Sequence, residues 1–176
     1  MKKLLNIRVY ALVIAALATN AACSQDLGMN TKTKNAPLAF NTTTATDNNA
    51  IAVDEINNKA LRDFHRSYGE VTDARWTKTD NGYAVKFKKD GMSTVVFYTG
   101  RGAVDCIIHY YPGEKLPENV RSIVRTTFYD YTISQVAEVH KNGVVAHVIK
   151  IEDKKTIKTI RVINGEYEVT EELTKR

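Results

Sequence analysis

Cysteine is nearly absent: Cys23 and Cys106 are the only two in 176 residues. That scarcity excludes a disulfide framework and any metal centre built from paired cysteines. Cys106 sits in the apolar run Val104 to Ile108, where a single thiol reads as a small buried hydrophobe. Long apolar runs are missing as well. Val9 to Leu17 falls well short of the roughly 18 to 20 residues a membrane-spanning helix requires, and no later stretch is apolar enough.

Concentrated charge of one sign is also lacking. The formal net charge is +5, of which Lys2, Lys3 and Arg8 in the leader supply three, leaving +2 on the rest. Lys and Arg cluster no further than pairs such as Lys88-Lys89 and Lys154-Lys155, so the electrostatic footprint of a nucleic-acid binder is missing. There is no GxSxG, HExxH, CxxC or phosphate-cradling glycine loop. Glu152-Asp153 and Glu171-Glu172 read as solvated turn or terminal acids. An enzyme is therefore not expected, and neither is a cofactor.

What is present begins with a positive start at Met1-Lys2-Lys3 and Arg8, an apolar run, and then small residues. That order reads as a secretory signal peptide over residues 1–22. Ala16-Leu17-Ala18 offers one cleavage site. Asn20-Ala21-Ala22-Cys23 offers a lipoprotein-type site, with Asn20 in place of the usual large aliphatic residue. On the second choice Cys23 carries the lipid, and the membrane is met only through that anchor. Residues 23–50 turn to Thr and Asn with little apolar periodicity. They bury too little surface to offset their ordering entropy and read as a disordered tether.

From Ile51 onward the patterning is regular and occurs twice. Val53, Ile56, Ala60 and Phe64, with Leu61 beside them, predict one helix; Val120, Ile123, Val124 and Phe128 predict a second, opened by Leu116-Pro117. After each helix the period changes to two. Asn81-Gly82 and Asp90-Gly91 punctuate one half, Asn142-Gly143 and Asn164-Gly165 the other, because such pairs accept the positive φ of tight hairpin turns. Phe64 and Phe128 lie 64 positions apart, and the turns at Asn81 and Asn142 lie 61 apart. The expected fold is α+β: a tandem repeat of one helix and a four-stranded antiparallel sheet over 51–115 and 116–176, helices on one face.

A turn at Asn81-Gly82 places Trp76 opposite Phe87 and Lys78 opposite Val85. Tyr83, Val85, Phe87 and Trp76 then share the buried face, while Arg75, Thr77, Lys86 and Lys88 take the other. A turn at Asn142-Gly143 pairs Val139 with Ala146 and Ala137 with Val148 as the inner set. Glu138, His140 and His147 then point outward. Those last three have the donor types for a zinc ion, though a fourth ligand and a supporting shell are lacking; a cross-strand polar pair is the simpler reading. Tyr110-Tyr111 and Tyr129-Asp130-Tyr131 read as core rim or interface.

Five segments carry a family resemblance: Phe64 to Trp76 (FHRSYGEVTDARW), Gly82 to Gly91 (GYAVKFKKDG), Tyr98 to Gly102 (YTGRG), Leu116 to Val120 and Tyr129 to Ile133. In these the chain resembles the PepSY-like, beta-lactamase-inhibitor-protein-like (BLIP-like) secreted proteins. The resemblance implies the tandem helix-plus-sheet fold. It brings no inhibitory motif, and fold alone is a weak warrant for inhibition. The functional expectation is an exported envelope module that binds a protein partner through its free sheet face, using Arg75, Lys86, Lys88, Glu138, His140 and His147. The alternative is an envelope protein that binds a small ligand or a metal. A hydrolase without a recognisable motif ranks last.

Overall fold

The computed structural model describes residues 50–176. The expected signal peptide, lipidation at Cys23 and the tether lie outside the described residues, except for Ala50. Ala50 forms an isolated antiparallel bridge to Thr77.

Among the described residues two α-helices, α1 (Asn58–Tyr68) and α2 (Glu118–Thr127), accompany eight strands. The strands are β1 (Arg75–Thr79), β2 (Gly82–Lys89), β3 (Met92–Thr99), β4 (Val104–Tyr111), β5 (Thr132–Lys141), β6 (Val144–Glu152), β7 (Thr156–Ile163) and β8 (Glu166–Thr174). They form one antiparallel sheet in sequence order. Because β4 pairs with β5, from Ile107 against His140 to Tyr111 against Val136, the two expected sheets are one continuous sheet of eight strands.

Helix α1 starts where Asn57 caps it: the side-chain oxygen accepts from the Lys59 backbone amide at 2.9 Å, satisfying one of the free amides of the first turn. It ends at Gly69 with φ 72°. Val53, expected on this helix, lies outside it in a short 3-10 turn and is 63% exposed. Ile56, just ahead of the helix, is buried with Ala60 and Phe64. Phe64 anchors an aromatic cluster, with ring centroids 5.4 Å from Trp76 and 5.2 Å from Phe87. Val85, Val96 and Tyr98 complete this core.

Helix α2 follows Pro117, whose missing amide costs nothing in a helix's first turn. It buries Val120 and Val124 against Tyr111, Val136, Ile149, Ile151, Ile160 and Val162. At about 25 cal/mol per Å² of apolar surface, these two cores are the main source of stability.

The hairpins at Asp90-Gly91, Asn142-Gly143 and Asn164-Gly165 have positive φ at both central residues, as two-residue turns of matching twist require. The first hairpin differs from expectation. Its turn residues are Asp80-Asn81, with Thr79 opposite Gly82, so Trp76 faces Val85 and Lys78 faces Tyr83. A slip of two residues keeps every side chain on its expected face. The reason lies at Gly82, where a Cβ would stand 2.1 Å from the Tyr98 carbonyl oxygen; only a glycine strand start lets β3 approach so closely.

Both helices pack on the same face. Trp76, Val85, Val96 and Ile107 carry the α1 side of it, and Tyr111, Val136, Ile149 and Ile160 the α2 side. Among the described residues, no helix covers the opposite face.

Candidate functional site

Arg75, Lys86 and Lys88 are exposed on the helix-free face, as expected, with Arg75 directly opposite Lys86. None of the three makes an ion pair among the described residues. Moving inward, Lys86 leads to Val95, Ile108, Val139 and Ala146 along one cross-strand row. A second row runs Lys88, Ser93, Tyr110, Ala137 and Val148. The face is therefore basic at its β1–β2 end and apolar through its centre, where Cys106, Ile108, Ala137, Val139 and Ala146 are buried. Burial pushes the Cys106 thiol up to about 11, which keeps it protonated and unreactive at neutral pH.

Glu138, His140 and His147 are elsewhere, which corrects the outward placement. The register expected for their hairpin is observed, with Glu138 opposite His147 and Val139 opposite Ala146. The side is reversed: Glu138 and His147 share a row with Phe87 and Val162, both core residues of the helix-covered face. Hairpin register fixes which residues align but not which side of the sheet the helix occupies. The six expected binding residues thus divide between two opposite surfaces.

That row reads Phe87, Thr94, His109, Glu138, His147, Val162, apolar at both ends and polar where the α1 and α2 cores meet. Glu138 is the hub. The Tyr111 hydroxyl donates to its Oε2 at 2.5 Å. His140 Nε2 lies 2.6 Å from Oε1 and His147 Nε2 lies 3.4 Å from Oε2. Side-chain exposure falls from 39% at His140 to 20% at Glu138 and 11% at His147. His109 joins through Thr94, Oγ1 to Nδ1 3.0 Å, and its ring meets His140 edge-on at 5.4 Å.

The electrostatics follow from this packing. Burial pulls the Glu138 pKa upward, but the Tyr111 and His140 hydrogen bonds and the nearby imidazoles outweigh it and hold the carboxyl below its usual range. Burial lowers the pKa of His147 against the pull of Glu138. Burial also lowers that of His109, helped by His140. An ionised Glu138 carboxylate beside neutral His147 and His109 imidazoles is the resulting state at neutral pH. Among the described residues, no group of three His, Cys, Asp or Glu side chains is arranged to hold a metal ion. Thr94, His109 and Tyr111 were not legible as members of this cluster, because only the β4–β5 pairing brings them to Glu138.

No protein-family model matches this chain, and no curated protein does either. Solved structures do share its architecture. A DUF2874 family protein from Bacteroides ovatus matches at TM-score 0.57 and 14% identity, over 68% of this chain and 87% of its own. A BLIP-like protein from Bacteroides fragilis matches at 0.54 and 15%, over 67% and 86%. A DUF2874 family protein from Bacteroides uniformis matches at 0.56 and 13%, over 66% and 88%. At such identities the likeness is one of fold: this is an α+β protein of BLIP-like fold.

Proposed function

We propose that this chain is an exported, non-catalytic binding module that recognises a protein partner of the cell envelope through its helix-free sheet face. The observation that carries the reading is the rim of that face: Arg75, Lys86 and Lys88 are exposed there, without ion-pair partners among the described residues. Exposed cations without ion-pair partners at the edge of this face suit an acidic patch on the partner, with the charges giving orientation and on-rate. Glu138, His140 and His147 leave the binding surface in this reading and become a structural hub of the other face.

Five further features belong to this reading of the protein. They are export by the signal peptide to the periplasm or envelope, a lipid anchor at Cys23, a tether over 23–50, duplication of a helix-plus-four-strand unit, and PepSY-like kinship. The test is affinity capture from native envelope with a tagged protein spanning Gln25 to Arg176, beside a variant carrying Arg75→Glu, Lys86→Glu and Lys88→Glu. Enrichment of one protein by the wild type alone supports the reading. Equal capture by both proteins removes this face from consideration.

A further inference from the structure

A cleft of about 520 Å³ opens beside α2, on the other side of the molecule from the helix-free face. Val124, Phe128, Tyr131 and Ile133 give it apolar walls, and Arg121, Arg125 and Tyr129 also line it. Its size falls in the range of pockets that enclose small molecules, roughly 300 to 1,000 Å³.

Three features of this cleft have no explanation in the fold. Tyr129 is 81% exposed and contributes nothing to the core. Arg125, four residues earlier, makes no ion pair among the described residues. Arg121 is clamped by its Nη2, which donates to the Glu114 and Leu116 carbonyls at 2.6 and 2.8 Å. Its Nε is nevertheless a buried donor without a partner, a rare condition in folded proteins. Each feature is minor alone, but all three belong to residues lining one cleft.

We propose that the cleft beside α2 is a binding site for a small carboxylate with an apolar or aromatic body. The planar guanidinium of Arg125 is the natural mate of a carboxylate, forming paired charge-assisted hydrogen bonds. The Tyr129 ring supplies a face for the body, and Val124, Phe128 and Ile133 remove it from water. Arg121, fixed by the two carbonyls and paired with Glu118 at 3.5 Å from Nη1, forms a rigid polar wall beside Arg125. This site shares no residue with the proposed partner face, so either can fail without the other.

The test is titration of the 15N-labelled protein with phenylacetate and, as the charge control, phenylacetamide, followed by amide chemical shifts. Saturable shifts confined to residues 113–133 are expected, with a dissociation constant of about 1 mM, ordinary for a fragment of this size. Phenylacetamide and the Arg125→Ala protein should each bind at least about tenfold more weakly. Arg125 is exposed, so its replacement leaves the fold intact. Shifts that do not saturate by about 20 mM, equal binding of acid and amide, or unchanged binding by Arg125→Ala would each overturn the site. Saturable shifts centred on Arg75, Lys86 and Lys88 would overturn it as well.

Discussion

Glu138 shows how a single residue acquires a role from its neighbours. A carboxylate in the interior is tolerated only when its oxygens are hydrogen-bonded, and here Tyr111 and His140 take one oxygen each. His147 stays neutral beside it because burial outweighs the attraction of the carboxylate. Its pKa, like that of His109, is lowered in the folded state, so the unfolded chain takes up protons first as pH falls. Stability is then full above the unfolded histidine value of about 6.5 and falls below it, by up to about 1.4 kcal/mol per pH unit for each such imidazole. The depressed Glu138 adds a second loss below about 4.3, the unfolded carboxyl value. Thermal melts from pH 8 to 4 should follow this descent, and His147→Gln should flatten its upper part. A wild-type melting temperature constant between pH 7.5 and 5 would remove the assignment of neutral buried imidazoles.

At the scale of elements, the attachment of α1 depends on the β3–β4 turn. Asn57 donates from Nδ2 to the Gly100 carbonyl at 3.2 Å while capping the helix. Gly102, at φ 76°, packs so tightly against the helix start that a Cβ would meet Asn57 Oδ1 at 2.7 Å and the Ala60 amide at 2.8 Å. Gly102→Ala should therefore cost about 1 to 3 kcal/mol by overpacking and backbone strain, measured by chemical denaturation. A change below about 0.5 kcal/mol would show that the turn yields freely. The outer strand β8 obeys a different rule. Its exposed edge carries Glu168, Glu171 and Glu172, and Glu168 and Glu172 pair with Arg161 and Lys158 on β7. Charge on an outer strand discourages pairing with another chain; Glu171 and Glu172, expected as solvated turn or terminal acids, are exposed but lie on a strand and are tied to β7, Glu171 accepting from the Thr159 hydroxyl and Glu172 paired with Lys158.

For the described region as a whole, the meeting of β4 and β5 decides whether two halves exist independently or unfold together. Trp76, the only tryptophan, sits in the α1 core, whereas Ile149 is fully buried in the α2 core. Ile149→Ala should lower stability by about 2 to 5 kcal/mol. If the sheet couples the halves, Trp76 fluorescence and far-UV circular dichroism will report the same lowered midpoint. A Trp76 transition left at its wild-type midpoint would show two separately folding units.

The amino-acid sequence by itself determined most of what depends on near neighbours. The helix stripes at Ala60–Phe64 and Val120–Val124, the change to period two and three of the four expected hairpin turns follow from local backbone preference and side-chain alternation. Even the two-residue slip at Asp80-Asn81 left each side chain on its expected face, because parity survives an even shift. Tertiary structure alone decided which side of β5 and β6 meets the helices. That choice rests on α2 packing over Val136 and Ile149, residues far from it in sequence. It moved Glu138, His140 and His147 away from Arg75, Lys86 and Lys88, and brought Thr94, His109 and Tyr111 to them through β3–β4–β5 pairing. Both inner and outer sets of that hairpin contain buried residues, Val136 and Ile149 on one side, Val139 and Ala146 on the other. Alternation of apolar and polar residues cannot distinguish the sides of a strand when both are buried.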